Sequence, residues 1–210
     1  MPEKLKLTRP ELKSQRDALK RFQRYLPMLK LKQQQLQMTI RQLEKRILYA
    51  MKAERQSRQK FEAYQVVLDD AAGVDVRTLA RFTEIITYEM NIAGVTIPVF
   101  KEVTFPEADY SLFSTPAWVD TALHDLREIN RRKAKLEIRQ RQHRLLQKEL
   151  TKIIQRVNLF EKVKIPEARE NIRRIRIQLG DEMASAVGRA KIAKNKLTEV
   201  ASQSSRDNSL

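Results

Sequence analysis

Apolar residues in the first third of the chain recur at alternating spacings of three and four. Two interleaved series follow this heptad pattern from Leu12 to Leu68 without a change of phase. The first series is Leu12, Leu19, Leu26, Gln33, Ile40, Ile47, Glu54, Phe61 and Leu68. The second is Gln15, Phe22, Leu29, Leu36, Leu43, Ala50, Ser57 and Tyr64. Because thirteen of these seventeen positions are apolar, the pattern predicts a helix of roughly 85 Å that winds around a partner helix.

Local signals mark both ends of this first helix, which is predicted to occupy residues 1–70. Thr8 is the predicted N-cap, because Glu11 follows it at the spacing of a capping box. Pro27 would bend the helix rather than end it, since the heptad phase is the same on both sides, and we expect Pro27 on the outer face. Gly73 is the predicted stop.

The middle of the chain, residues 71–115, changes period. Asp75 is the predicted N-cap of a short helix over Val76–Phe82. The β-forming residues from Glu84, a turn at Ala93-Gly94 and the alternation of Val95, Ile97 and Val99 then predict a β-hairpin. Pro98 lacks a backbone N–H, so its strand should lie at a sheet edge.

A second long helix is predicted over residues 116–201, starting near Ser114 to Pro116. Its first apolar series is Val119, Ala122, Leu126, Ile129 and Leu136, and its second is Leu146, Leu150, Ile153, Val157 and Phe160. The series therefore changes phase between 136 and 146, as at a stutter. Pro166 should interrupt the helix near Ile165, and apolar residues then continue to Ala190. The serine-rich residues 202–210 are predicted to be a disordered tail.

These elements predict a mainly α fold. The two long helices would form an antiparallel coiled coil, and the small middle region would contain the short helix and the β-hairpin. The second helix is the longer one, so its C-terminal part would project alone or pack against something else. We therefore expect the coiled-coil partner to be intramolecular and do not expect self-association through this seam.

The charge distribution adds two basic arms around an acidic middle. Residues 1–60 carry a net charge of +12, residues 61–120 of −7 and residues 121–210 of +11. Such basic arms suit nucleic acid, anionic lipid or an acidic protein surface. Low glycine, proline and aromatic content agrees with long exposed helices.

Candidate chemistry is sparse. The chain has no cysteine, its two histidines lie nineteen residues apart, and Asp69, Asp70 and Asp75 lack the ligand series and closing glutamate of a calcium loop. No apolar run reaches the roughly 18 residues of a membrane span, and there is no hydrophobic signal core. We therefore expect no catalytic, cofactor-binding or metal residues, and a non-secreted protein that is not an enzyme by itself.

Three segments carry a family resemblance that covers roughly residues 8–198. They are Met28-Leu29-Lys30-Leu31-Lys32 through Leu36, together with Thr8-Arg9; then Gly94-Val95-Thr96-Ile97-Pro98; and then Arg156-Val157-Asn158-Leu159-Phe160-Glu161 with Ile165-Pro166. In these segments the chain resembles the D subunit, the central-rotor component, of the A/V-type ATPases and ATP synthases. It departs from the family pattern at Tyr25-Leu26, Gln33-Gln34, Leu159-Phe160 and 183–194, which suggests a divergent bacterial branch.

The resemblance implies a non-catalytic rotor shaft. The coiled coil would stand in a ring of alternating catalytic A and non-catalytic B subunits, and would couple ATP turnover there to ion translocation across the membrane. The middle region would bind the small F subunit of the rotor, and the base would dock on the funnel subunit above the membrane ring. The chain would then be cytoplasmic and peripheral, without insertion into the membrane.

Two groups of residues are the predicted contacts of such a shaft. The first is a basic tip that would face the ring, namely Arg9, Lys13, Arg16, Arg189, Lys191, Lys194 and Lys196. The second is an apolar set on the hairpin for docking the small F subunit, namely Ile85, Tyr88, Val95, Ile97 and Val99.

Two other classes of protein compete with this interpretation. A basic coiled coil could bind nucleic acid, but the basic arms offer few aromatic residues for stacking on bases, chiefly Phe22, Tyr25 and Tyr49. A membrane-surface scaffold would need an exposed apolar helix face, whereas the apolar series of both helices is expected to be occupied by mutual pairing.

Overall fold

The chain is mainly α-helical, as predicted, with one two-stranded sheet. The computed structural model describes residues 5–62, 74–110 and 115–207, with side chains as far as 198. The helices are α1 (Arg9–Glu62), α2 (Val76–Leu79), α3 (Trp118–Asn158) and α4 (Ile165–Asp207), with a π-helical turn (Leu159–Lys164) between α3 and α4. The strands are β1 (Glu84–Ile92) and β2 (Val95–Thr104). Tyr64, Leu68, Asp69, Asp70, Gly73 and Ser114, about which the sequence makes predictions, lie outside the described residues.

The heptad pattern of α1 matches its burial. Every position of the two series between Leu12 and Phe61 is buried or half-buried, and Leu36, Ile40, Leu43 and Phe61 are fully buried. The helix begins where predicted, with the N–H of Leu12 donating to the carbonyl of Thr8 at 3.0 Å. Pro27 lies inside the helix on its exposed face, where its missing N–H faces solvent instead of a packed neighbour.

The chain folds as two compact units. One contains residues 1–29 and 156–210, and the other contains residues 30–155. In the second unit hydrogen bonds join α1 to α3 along their length. Arg132 Nη1 donates to Ala53 O at 3.1 Å, Arg139 Nη1 donates to Arg46 O at 3.4 Å, and His143 Nε2 lies 3.1 Å from Glu44 Oε1. Residue numbers rise along one helix as they fall along the other, so α1 and α3 are antiparallel.

The β-hairpin has the predicted turn. Ala93 and Gly94 both have positive φ, 51° and 77°, as a tight hairpin turn matching the twist of its strands requires. The carboxamide oxygen of Asn91 accepts a hydrogen bond from Gly94 N at 2.9 Å. The strands pair antiparallel from Ile92 with Val95 to Glu84 with Thr104, with one irregularity between Ile86 and Thr87.

We expect replacement of Gly94 by alanine to destabilise the hairpin by about 1–2 kcal/mol, because an L-residue is strained at this positive φ. The matched control is Gly180→Ala. Gly180 is helical, and an added Cβ there meets nothing within 4 Å, so that change should increase helicity. Thermal unfolding and helix content by circular dichroism test the pair. Equal effects of the same sign would contradict the role assigned to Gly94.

The middle region packs on the start of α3. Phe61, Val76, Ala80, Val119, Ala122 and Leu123 form one buried cluster, and Trp118 packs at its edge. Asp75 caps α2 as predicted, accepting from the backbone N–H groups of Arg77 and Thr78 at 3.1 Å. The short helix ends at Leu79 rather than at Phe82, so a single turn suffices to bury Val76 and Ala80.

The seam of α3 changes phase where predicted. Its buried positions run Ala134, Ile138, Gln142 and Leu146, and these consecutive spacings of four rotate the buried face around the helix. The predicted first series was inaccurate here, because Leu136 is half-buried whereas Ala134 and Ile138 are buried. A small alanine and a glutamine therefore occupy core positions that hydrophobicity alone does not identify.

Pro166 is accommodated without ending the second long helix. The turn from Leu159 to Lys164 is π-helical, and the N–H of Ile165 donates to the carbonyl of Phe160. A wider turn suits a site where the proline ring would collide with the carbonyl four residues earlier. The helix then continues to Asp207, so residues 202–207 are helical rather than the predicted disordered tail. Extending a helix that has already formed costs little, because the unfavourable nucleation step is not repeated.

Candidate interaction surfaces

The seven cations of the predicted basic tip all lie in the same unit and are all exposed. Arg9, Lys13 and Arg16 are on the first two turns of α1. Arg189, Lys191, Lys194 and Lys196 are in the C-terminal half of α4. The two groups differ in their surroundings, because the start of α1 alternates exposed and half-buried residues whereas the end of α4 does not.

The C-terminal half of α4 has no covering element among the described residues. Ile175 is its last buried residue, Leu179 is half-buried, and every residue from Gly180 to Thr198 is exposed. The exposed side chains include Met183, Val187, Ile192 and Leu197. Large apolar side chains concentrated on an uncovered segment are typical of interaction sites, which makes this segment a candidate. The sequence prediction that this part of the helix projects alone or packs against another partner agrees with this exposure.

The hairpin residues predicted to dock a partner differ in their exposure to solvent, and the sequence did not indicate this difference. Tyr88 pairs with Val99 across the sheet. Val95, Ile97 and Val99 are spaced two residues apart along β2, so their side chains lie on the same face of the sheet. Ile97 and Val99 line a cavity of about 190 Å³ together with Leu43 of α1 and Ile138 of α3. Ile97 is 2% exposed, whereas Tyr88 is exposed and Ile85, Val95 and Val99 are half-buried. Much of this set therefore packs on the chain's own helices, and Tyr88 remains accessible.

Gln142 fastens the hairpin to α3, which sequence reasoning missed. This side chain is buried, and its Nε2 donates to the carbonyl of Pro98 at 2.6 Å. Two aromatic side chains, Phe100 within β2 and Phe105 directly after it, add cation–π contacts to α3. Arg127 lies 5.4 Å from the ring centroid of Phe105, and Lys135 lies 5.9 Å from that of Phe100. The sequence signal for the role of Gln142 is a polar residue at a seam position of the helix.

We expect Gln142→Met to loosen the hairpin. The substitution keeps the volume but removes the donor, so it costs about 1–3 kcal/mol for the unsatisfied carbonyl of Pro98. Hydrogen exchange at the amides of Ile97 and Val99 should accelerate, while exchange in the buried cluster around Val119 stays unchanged. The control is Gln147→Met on the exposed face of the same helix. If both variants exchange like the parent, Gln142 does not hold the hairpin.

Polar side chains also join α1 to α3 at Ser57, where the seam of α1 has a polar residue instead of an apolar one. Arg132 donates to the hydroxyl of Ser57 and, at 3.1 Å, to the carbonyl of Ala53, while its Nε binds Glu128 at 2.9 Å. Nearby, Arg127 Nη2 donates to Pro106 O at 2.6 Å, and Asn130 Nδ2 donates to Ala80 O at 2.7 Å. These bonds satisfy carbonyls of the middle region and hold it against α3.

Shifted pKa values arise from local partners rather than from a reactive centre. Hydrogen bonds from Arg173 and Arg174, at 2.9 and 3.0 Å, lower the pKa of the half-buried Glu170 to about 2. The hydrogen bond of Tyr110 to Asp120, at 2.5 Å, raises the pKa of the phenol. Burial lowers the pKa of Arg139. The contribution of the ionised Glu170 to the stability of the fold is present above pH 4.5 and is lost as the pH falls toward 2.

Metal-binding clusters and membrane-spanning helices are both missing from the described part of the chain. Within 5–62, 74–110 and 115–207 no three acidic or histidine side chains converge into a metal-binding group. None of the helices in those ranges combines the length and hydropathy needed to cross a bilayer.

Fold and surfaces together define a class of protein: a mainly helical chain whose long helices pair with each other and which leaves an apolar, cationic helix end uncovered. The family model described as the D subunit of ATP synthase matches residues 11–195. The chain therefore belongs to the ATP synthase D subunit family, as its sequence motifs predicted.

Curated relatives agree over almost the whole length. The V-type ATP synthase D subunit of Borreliella burgdorferi is 39% identical over 194 residues, covering 92% of this chain and 95% of that protein. The protein of the same name from Chlamydia abortus is 35% identical over 203 residues, covering 95% and 96%. That of Chlamydia pneumoniae is 34% identical over 198 residues, covering 94% and 95%.

Proposed function

We propose that this chain is the non-catalytic central rotor shaft of a V-type ATP synthase or ATPase. In this role it transmits rotation between ATP chemistry in a ring of A and B subunits and ion translocation across the membrane. The catalytic and ion-binding groups then belong to other chains. The chain works at the cytoplasmic face of the membrane, as a peripheral part of the complex.

The observation that carries the proposal is the contrast between the paired and uncovered parts of the long helices. Residues 30–155 form an antiparallel pair joined by hydrogen bonds and a buried seam, as a stiff element needs. The segment from Gly180 to Thr198 instead exposes apolar and basic side chains. A helix end of this kind fits inside a ring of other subunits, where its apolar residues are buried and its cations meet acidic groups.

Three further contacts complete the proposed assembly. Arg9, Lys13 and Arg16 would face the ring together with Arg189, Lys191, Lys194 and Lys196. The hairpin would dock the small F subunit of the rotor through the set Ile85, Tyr88, Val95, Ile97 and Val99, with the exposed Tyr88 making direct contact. The funnel subunit would join the base of the shaft to the membrane ring.

A rotation assay tests the function directly. The chain has no cysteine, so Glu107→Cys places a unique label on an exposed site of the middle region. With the A and B ring fixed on glass, ATP should rotate a bead attached to this cysteine, and a non-hydrolysable analogue should not. Failure to bind the ring, or salt-sensitive retention on nucleic acid in its place, would overturn the proposal in favour of a basic nucleic-acid-binding coiled coil.

A further inference from the structure

A small pocket lies between the hairpin and the two paired helices of residues 30–155. Ala50 and Ala53 of α1 line one side of it, and Phe100 of β2 lines another. The rest of the described lining comes from α3 and is charged: Glu128, Arg131, Arg132, Lys135 and Arg139. We call this the cationic pocket. Its volume is about 250 Å³, below the roughly 300–1,000 Å³ of sites that take drug-sized molecules, so it suits a compact ligand.

Small side chains on α1 leave the space open. Ala50 belongs to the seam of α1, where the larger Leu43 and Ile47 occupy neighbouring seam positions. Ala53 follows Ala50 at a spacing of three, so both methyl groups lie on the same side of the helix. Both alanines are half-buried, and a leucine at Ala50 would fill the pocket. The chain therefore leaves room beside α3 at the level of the cations.

The charges in the pocket are unbalanced. Among the described lining residues there are four cations and one acid. That acid, Glu128, is already shared, because its carboxylate oxygens lie 3.2 Å from Arg131 Nη1 and 2.9 Å from Arg132 Nε. The positive charges of Lys135 and Arg139 are left over.

Lys135 and Arg139 lack an acidic partner, and so does Arg46 of α1. None of the three enters an ion pair formed among the described residues. Arg139 is half-buried, so water compensates its charge only in part, and burial together with the charge of Arg46 lowers the pKa of Arg139. Lys135 lies four residues from both Arg131 and Arg139, a spacing at which like charges on a helix repel. An anion in the pocket would relieve this repulsion.

We propose that the cationic pocket binds a compact anion with two linked phosphate groups, either inorganic diphosphate or the phosphate end of a nucleotide. Arg131 and Arg139 are separated by about 12 Å along α3, so a single orthophosphate would leave one end of the row unpaired. Guanidinium groups bind phosphate oxygens in pairs, and Lys135 supplies a point charge between them. The site belongs to this chain alone, so the inference does not depend on the proposed rotor function.

A bound diphosphate would tie three elements of the fold together. It would pair with Lys135 and Arg139 of α3 and lie against Phe100 of the hairpin, whose ring centroid is 5.9 Å from Lys135 Nζ. It would also reach the charge of Arg46, which lines the adjoining cavity together with Lys135 and Arg139. Only the folded chain gathers these cations, so the anion binds the folded state and raises its apparent stability by mass action. The unfolding temperature should therefore rise with diphosphate concentration.

Isothermal titration of the full chain with inorganic diphosphate tests the site, at about 0.15 M salt to screen long-range attraction and without divalent metal. One diphosphate per chain is expected, whereas attraction to the net charge of +16 alone would give several weak sites. Citrate presents carboxylates and orthophosphate presents one phosphate, and both should bind at least tenfold more weakly. Absence of saturable binding, or equal binding of either control anion, would overturn the proposal.

Competition with ADP distinguishes the two sources of the phosphate groups. Displacement of diphosphate by ADP at lower concentration supports the site and identifies a nucleotide as its ligand. Weaker displacement, or none, supports the site with free diphosphate as its ligand. A single-stranded oligonucleotide that binds while diphosphate does not would assign the cations to nucleic acid and refute the proposal.

Variants separate the pocket from general charge. Lys135→Gln combined with Arg139→Gln should weaken diphosphate binding at least tenfold. Arg141→Gln combined with Lys148→Gln makes the same change in net charge at exposed positions of the same helix, and should leave the affinity within twofold of the parent. Ala50→Leu fills the pocket without changing any charge, and should also weaken binding at least tenfold.

The test remains decisive if a half-buried position proves intolerant of substitution. Lys135 is exposed, so Lys135→Gln alone is expected to keep the helicity of the parent by circular dichroism. It should weaken diphosphate binding at least threefold and reduce the rise in unfolding temperature. If this variant binds like the parent, or if the control pair loses as much affinity as the pocket pair, the cationic pocket is not the binding site.

Discussion

Leu146→Ala is expected to lower the free energy of unfolding by about 2–5 kcal/mol, because it removes a fully buried side chain and leaves a cavity behind. Leu146 is 0% exposed and lines, with Leu43, Ile97 and Ile138, the cavity between the hairpin and the two helices. Because this cavity already adjoins Leu146, neighbouring side chains can fill only part of the space that the substitution leaves. Chemical denaturation followed by circular dichroism at 222 nm measures the loss.

The adjacent residue supplies the control. Leu145→Ala removes the same atoms from a side chain that is 36% exposed, so less apolar surface returns to water and no enclosed cavity forms. Its effect should be below half that of Leu146→Ala. Equal losses in the two variants would show that the seam of α3 does not run through Leu146.

Sequence periodicity predicted the parts of the fold that depend on repeated burial. The two heptad series of α1 are buried or half-buried throughout the described helix, because a seam sums many small apolar contributions and tolerates Gln33 or Ser57 among them. The hairpin turn was equally predictable, since Ala93-Gly94 needs backbone angles that glycine permits. Both signals are local and strong.

Tertiary context decided the features that periodicity did not predict. Nothing in the alternation of Val95, Ile97 and Val99 indicates which side of a two-stranded sheet faces the helices, and the predicted docking set contains the buried Ile97. Gln142 is polar at a core position because the carbonyl of Pro98 needs a donor there. The π-helical turn before Pro166 depends on how a continuous helix absorbs a proline, whereas the sequence indicates only an interruption.

Exposure also separates structural cations from those available for binding. Arg127 and Arg132 bind carbonyls within their own unit, so their charges serve packing. The cations between Gly180 and Thr198 lie on a segment with no neighbouring element, among the described residues, to hold them. Net charge does not distinguish these two kinds of cation. Composition is therefore compatible with either nucleic acid or an acidic protein surface as the binding partner. The apolar side chains beside the second group favour a protein partner.

Reversing the charge of the C-terminal tip is expected to lower ATP-driven rotation and coupled ATPase activity by at least tenfold. The four substituted residues are Arg189→Glu, Lys191→Glu, Lys194→Glu and Lys196→Glu. Each exposed ion pair contributes about 0.2–1 kcal/mol, and reversal adds repulsion, so four changes together exceed the roughly 1.4 kcal/mol that corresponds to a factor of ten. The loss should shrink as salt is added, because these side chains are exposed.

The control reverses the same number of exposed cations elsewhere on the helices, at Arg41, Lys45, Arg141 and Lys148. It matches the change in net charge, so any shared loss of activity reports solubility or long-range electrostatics rather than the tip. Circular dichroism should show equal helicity in both variants, since the cations of the tip form no ion pairs within the described residues. If the tip variant retains the turnover of the control, the uncovered end of α4 does not bind the ring through its charges, and the exposed Met183, Val187 and Leu197 must carry that contact.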